Sequence, residues 1–193
     1  MIAALYVETD GCYYGLPGVD PWDINRDARK YDGPWPVVAH PPCNRWSTLA
    51  PIVYARHGLE KFRPGNDGGT FKAALEAVRK WGGVLEHPAN SRAFRAHLLP
   101  RPVHGAWQAT ICGGWITEVA QCQYGHRARK PTWLYAVTKC PPTLDWRCEG
   151  YTHQIASPAL SGNTGLTEMK SKEARATPKP FRDLLISIAR GAQ

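Results

Sequence analysis

Three apolar residues stopped by two consecutive prolines constrain this chain more than any other feature: Val37-Val38-Ala39 runs into His40-Pro41-Pro42-Cys43. A short unbroken apolar run reads as a buried strand. Proline fixes its own φ and lacks an N–H, so the ladder ends there and Cys43 is held just beyond the strand's carboxyl end. Two other runs repeat the pattern. Ile2 to Val7 precedes a glycine-rich loop from Asp10 to Gly18, and Val84-Leu85-Glu86 is halted by Pro88.

Helical spacing fills the intervals. Ile24 to Tyr31 reads as a short helix broken at Gly33-Pro34-Trp35-Pro36, and Ser91 to Leu99 as another before Pro100. Thr70 is placed to cap a helix with Phe71, Ala74, Leu75, Val78 and Trp81 on one face, closed by Gly82-Gly83. Trp115 to Gln121 and Thr132 to Val137 are strand candidates around a basic loop, Lys170 to Pro180 reads as a basic, non-helical segment, either a solvated linker or one that passes along a phosphate backbone, and Pro180 to Arg190 closes as a helix. Strands alternating with helices predict an α/β fold with a largely parallel sheet. Ligands then sit beyond the strands' carboxyl ends, which selects the loop after Val7, the Pro41-Pro42-Cys43 turn and Glu86-His87-Pro88.

At 193 residues, 43% hydrophobic and 21% charged, the chain reads as one globular domain. Residues 1–140 would form the core, 141–180 a turn-rich basic segment, and 181–193 a helix packed back on the core. The net charge of +8 points to a polyanionic partner. Arg92, Arg95, Arg101, Arg127, Arg129, Lys130 and Lys139 concentrate that charge in the middle third, among Trp107, Trp115, Tyr124, Trp133 and Tyr135. No apolar run approaches the roughly 18 residues of a membrane span, so the expectation is a cytoplasmic protein without a membrane partner. Six irregularly spaced cysteines fit free thiols. Cys112, Cys122, Cys140 and Cys148 match no common zinc module, so buried thiols and no metal are expected.

Cys43 at a rigid strand end, with Arg45 nearby to favour the thiolate, is a candidate nucleophile. Glu86, also at a strand end, is a candidate proton donor or acceptor. The run Val38-Ala39-His40-Pro41-Pro42-Cys43-Asn44-Arg45-Trp46-Ser47 resembles the Pro-Cys nucleophile motif of DNA cytosine-C5 methyltransferases. In that family an apolar strand leads to Pro-Pro-Cys, an amide residue, one variable residue, an aromatic and a serine. Leu85-Glu86-His87-Pro88 resembles its Glu-Asn-Val motif, and Gln123 to Lys130 its Tyr-Gly…Gln-x-Arg-x-Arg segment. Trp22-Asp23-Ile24 stands where the family keeps an Asp-Ile pair near the cofactor's adenine.

The resemblance implies a reduced Rossmann-like methyltransferase-type sheet with helices on both faces. It implies Cys43 adding to cytosine C6, Glu86 holding N3, and Lys130 or Arg129 steadying the base carbonyl and its phosphate. It also implies S-adenosylmethionine as methyl donor, held by Glu8, Asp10, Gly11, Trp22, Asp23, Ile24 and Pro41. DNA or a pyrimidine nucleotide is the implied partner, with Arg45, Ser47, Arg92 and Arg127 against nucleic acid and the target base flipped out or single-stranded. The chain departs from the family pattern in two places. Aligned on Tyr124-Gly125, the family's Gln falls on Ala128 and its arginines on Lys130 and Thr132; the Phe-x-Gly-x-Gly cofactor loop is absent. Three other readings stay open: the same pyrimidine chemistry with a different donor, a non-catalytic nucleic-acid binder, and a hydrolase pairing Cys43 with His40 or His87.

Overall fold

A computed structural model describes residues 1–155 and 165–192. Its centre is a seven-stranded mixed sheet. The strands are β1 (Ile2–Leu5), β2 (Val19–Trp22), β3 (Val37–Ala39), β4 (Gly83–Pro88), β5 (Gln108–Ala109), β6 (Trp115–Ala120) and β7 (Pro131–Val137), in the order β2-β1-β3-β4-β7-β6-β5. The first four are parallel, whereas β7 runs antiparallel to both β4 and β6. The sheet is thus mixed rather than largely parallel. The link from Gln121 to Lys130 is too short for a crossover, so β6 and β7 return on each other as a hairpin does.

The side chains of the central strands divide with period two between two buried clusters. Ala3, Leu5, Val37, Ala39, Leu85 and Tyr135 face α2 (Thr70–Trp81) and α3 (Arg92–Ala96). Ile2, Ala4, Val38, Val84, Leu134 and Ala136 face α5 (Lys179–Arg190), which contributes Phe181, Leu185, Ile188 and Ala189. Both faces are covered, which is why these strands read as unbroken apolar runs. No helix among the described residues is long and apolar enough to cross a membrane.

Several local expectations are corrected. Ile24 to Tyr31 is helical only over one turn, Ala28–Lys30, because the Asp23 carboxylate accepts from the Asn25 N–H and holds the preceding residues in a turn. Thr70 is the first helical residue of α2 rather than its cap; the Asp67 carboxylate accepts from the N–H groups of Gly69 and Phe71. Lys170 to Pro180 contains a short helix, α4 (Ser171–Arg175), seated by buried Ala174. It follows a parallel pair, β8 (His153–Ile155) with β9 (Thr167–Met169). Helix α1 (Ala50–His57) and the proline-containing edge strand β2 carried no clear sequence signal. The turn-rich segment 141–180 lies partly outside the described residues, at 156–164.

The approach of β3 to β4 depends on Gly83, whose φ is +113° and whose Cβ, if present, would lie 2.0 Å from the Val37 carbonyl oxygen. Gly58 ends α1 at φ +63° with open space around it. Gly58→Ala should therefore destabilise by about 1–2 kcal/mol from backbone strain alone. Gly83→Ala adds a main-chain clash and should exceed about 3 kcal/mol in urea unfolding. Equal costs would contradict this account of the β3–β4 register.

Candidate active site

Leu5, Ala39 and Leu85 lie abreast on β1, β3 and β4. Tyr6, His40 and Glu86 therefore follow side by side toward the carboxyl edge, the first two just past the ends of β1 and β3 and Glu86 still paired with Leu134 of β7. Alternation then decides which residues serve the site. Glu86 turns to the cavity, while His87 turns back into the core and meets Phe71 edge-on at 5.2 Å between ring centroids. Burial lowers His87 to a pKa of about 4, so it is a neutral core residue.

The cavity beyond these strand ends has a volume of about 1230 Å³. Cys43 reaches it from the turn after Pro41-Pro42, and two contacts hold that turn. The Trp46 N–H donates to the Cys43 carbonyl at 2.9 Å. Buried Trp46 also donates its indole N–H to Asp67 at 2.8 Å, tying the turn to the start of α2. The aromatic residue three positions past the cysteine is thus an anchor for the nucleophile's loop.

A chain of hydrogen bonds stands behind Glu86. His40 Nδ1 lies 2.8 Å from Glu86 Oε1, and His40 Nε2 lies 2.8 Å from the Tyr13 hydroxyl. Burial raises the Tyr13 phenol well above its usual range, so its O–H stays protonated. Tyr13 donates to Nε2, which leaves the ring proton on Nδ1 to donate to Glu86. Burial would raise the Glu86 carboxyl, but the His40 hydrogen bond and the Lys130 charge outweigh it and hold the group below its ordinary 4.5. Burial and then the Glu86 charge push the Cys43 thiol up, against a weaker downward pull from Lys130 and Arg175. The resting pair is a thiol beside a carboxylate.

Lys130 holds a left-handed backbone at φ +40°, and its ammonium donates to the carbonyls of Ala176 at 2.9 Å and Arg175 at 3.2 Å. Burial lowers its pKa, while Glu86 and Cys43 oppose that shift. It pins the segment after β9 across the mouth of the cavity. Much of its donor capacity is therefore already committed.

Of the residues expected at the site, Glu8, Pro41, Cys43, Ser47, Glu86 and Lys130 share the cavity wall. Asp10, Gly11, Trp22, Asp23, Ile24, Arg45, Arg92, Arg127 and Arg129 lie outside it. Buried Asp23 is occupied by Thr9 and Asn25, which hold its pKa at about 2 together with Tyr14, and Trp22 lies under the Arg26 guanidinium at 4.0 Å. Ile24 is fully exposed on the surface beyond β2. Arg45 stacks over Phe62 and lines a small separate cleft with Lys61 and Asn66. Exposed Arg92 opens α3, Arg127 pairs with Glu173 and His153, and Arg129 is exposed beside the inward-facing Lys130. Cys112 and Cys140 are exposed rather than buried, and among the described residues no three His, Cys, Asp or Glu side chains are grouped to hold a metal.

Sequence reasoning missed Tyr13 as part of this wall, read Lys170 to Pro180 as a solvated linker or a phosphate-backbone contact without bringing Lys170 and Arg175 to this site, and placed His40 only in a hydrolase alternative. His40 had a readable signal, a polar residue between an apolar strand and two prolines; the others reach the site through long-range packing. Comparison with family models, curated proteins and solved structures finds no match to this chain.

Because Glu86 titrates below its unfolded value, its contribution to stability is present above pH ~4.5 and lost as pH falls through the lower folded value. Glu86→Gln should flatten the acid limb of stability against pH in denaturant titrations. An acid limb as steep in the variant as in the wild type would show that Glu86 is not held ionised by His40.

Proposed function

We propose that this chain activates a pyrimidine by covalent addition, as the cytosine-C5 methyltransferases it resembles do, with Cys43 as nucleophile and Glu86 serving ring N3. One observation carries the reading: a thiol and a carboxylate from neighbouring parallel strands open into the same cavity. The strand order supports it as well. The chain moves from β1 outward to β2 and then back across to β3, so β1 and β3 flank a topological switch point, where α/β sheets bind ligands. The reduced Rossmann-like methyltransferase sheet belongs to the same proposal, and so does a DNA or nucleotide partner for the basic surface.

The resting protonation states suit the addition step. Cys43 passes its proton to the Glu86 carboxylate as sulfur bonds to C6. The ring electrons shift toward N3, which takes the proton from Glu86, leaving a neutral enamine with a nucleophilic C5. His40 keeps the carboxylate oriented throughout, fixed in its tautomer by Tyr13. C5 then takes an electrophile, a solvent proton in the simplest case, and loses its original proton; N3 returns its proton through Glu86 as the thiolate leaves, which restores the aromatic ring and the thiol.

The residues named for S-adenosylmethionine fit that cofactor poorly. Only Glu8 and Pro41 line the cavity, and the Asp23 carboxylate is already satisfied. A Cβ on Gly11 would meet the Glu8 carbonyl at 2.7 Å, so this glycine serves its own tight turn rather than a ligand cradle. The proposal therefore rests on pyrimidine activation and derives no step through S-adenosylmethionine.

Addition at C6 is measurable without any donor, because the enamine exchanges its C5 hydrogen with solvent. Wild-type protein in D2O should replace H5 of dCMP or of cytosine in a short oligonucleotide, read by proton NMR. Cys43→Ala should abolish the exchange, and Glu86→Gln should slow it by about 10²–10⁴-fold. Exchange that survives Cys43→Ala would remove Cys43 as nucleophile, and no exchange in the wild type would favour a non-catalytic binder.

A further inference from the structure

We infer that the segment crossing the cavity mouth is a phosphate-binding strap, in which Arg175 and Lys170 take the phosphate of a pyrimidine nucleotide or nucleic acid whose base lies against Cys43. The inference rests on the reading of Cys43 and Glu86 as the pyrimidine site, and extends it to the charged part of the substrate.

The cavity wall carries three acids, Glu8, Glu86 and Glu168, and three bases, Lys130, Lys170 and Arg175. Glu86 is engaged by His40, and the Lys130 ammonium by two carbonyls of the strap. Lys170 and Arg175 are different. Both are exposed at the rim, and neither has an acidic partner among the described residues. Among the described residues the Arg175 side chain donates only its Nε–H, to the Ser171 carbonyl, which leaves the guanidinium fork open to them. Arg175 lines the same cavity as Cys43, the proposed site of addition.

The strap is built to hold those cations in place. β9 pairs with β8, Ala174 and Met169 are buried against Ala128, and the Arg127–Glu173 pair clamps α4 from outside. Lys130 neutralises the carbonyls at the end of α4, whose negative dipole would otherwise repel an anion. An open guanidinium and an ammonium on the wall of one cavity suit a tetrahedral dianion or a phosphodiester, and charge-assisted bonds of this kind exceed neutral ones.

The test compares dCMP, deoxycytidine and a short single-stranded oligonucleotide with one cytosine, titrated against the full chain at low salt. The wild type should bind dCMP at least about tenfold tighter than deoxycytidine. In Lys170→Gln/Arg175→Gln that ratio should fall to within about twofold. Lys170→Gln alone, at an exposed position, gives a partial fall if the double variant folds poorly by circular dichroism. If the phosphate is a free nucleotide's, dCMP outcompetes the oligonucleotide; if it belongs to a strand, the oligonucleotide binds tighter and weakens steeply with salt. Equal wild-type affinity for dCMP and deoxycytidine, or a ratio unchanged in both variants, would overturn the strap. H5 exchange separates the two claims. Exchange with an unchanged ratio leaves Cys43 chemistry standing without the strap, and a collapsed ratio without exchange leaves the phosphate site standing without the chemistry.

Discussion

The register of three parallel strands is the constraint on which the rest depends. With Leu5, Ala39 and Leu85 abreast, the next residue of each strand emerges at one edge, so His40 and Glu86 meet at hydrogen-bonding distance although 46 positions separate them. Because side chains alternate, a slip of one residue would send Glu86 into the core and His87 into the cavity. Gly83 permits that register, since any larger residue would strike the Val37 carbonyl. The two prolines then carry Cys43 past the strand end to face the carboxylate.

Electrostatics within the cavity follows from this placement. A carboxylate alone in a buried site would take up a proton; the His40 N–H and the Lys130 ammonium keep it ionised. Burial, and then this same carboxylate, disfavour a thiolate at Cys43, so it rests as a thiol. A pyrimidine ring that accepts a proton at N3 while accepting sulfur at C6 resolves this opposition, because the proton leaving the thiol has a destination. The arrangement is thereby suited to additions that move one proton and one nucleophile together.

What was readable in the sequence was what local chemistry determines. The apolar runs at β1, β3 and β4, the spacing of Phe71, Ala74, Leu75 and Val78, and the prolines before Cys43 each state their structure within a few residues. Strand β2 was hidden because Pro21 is tolerated only at an edge, and whether a strand lies at an edge is a property of the whole sheet. The reversal of β7 was hidden in a like way, behind the short β6–β7 link. Within the site, Cys43 and Glu86 could be named from their positions at strand ends. Tyr13 could not, and the basic run holding Lys170 and Arg175 could be named as a phosphate contact but not placed at this cavity, since a glycine-rich loop and a strap from the far end of the chain bring them there. Arg129 and Lys130 are neighbours in sequence with opposite fates, Lys130 turning inward on its left-handed backbone.

The central claim is that the Cys43 sulfur is the atom that bonds to a pyrimidine. Its most direct test is intact-protein mass spectrometry with the deoxynucleotide of 2-pyrimidinone, a base whose C6 accepts a thiol without a donor, followed by peptide mapping. The account predicts an adduct of one nucleotide per chain on the peptide containing Cys43, and none in Cys43→Ser. An adduct on Cys12, which shares the cavity wall, or one that persists in Cys43→Ser, would contradict it.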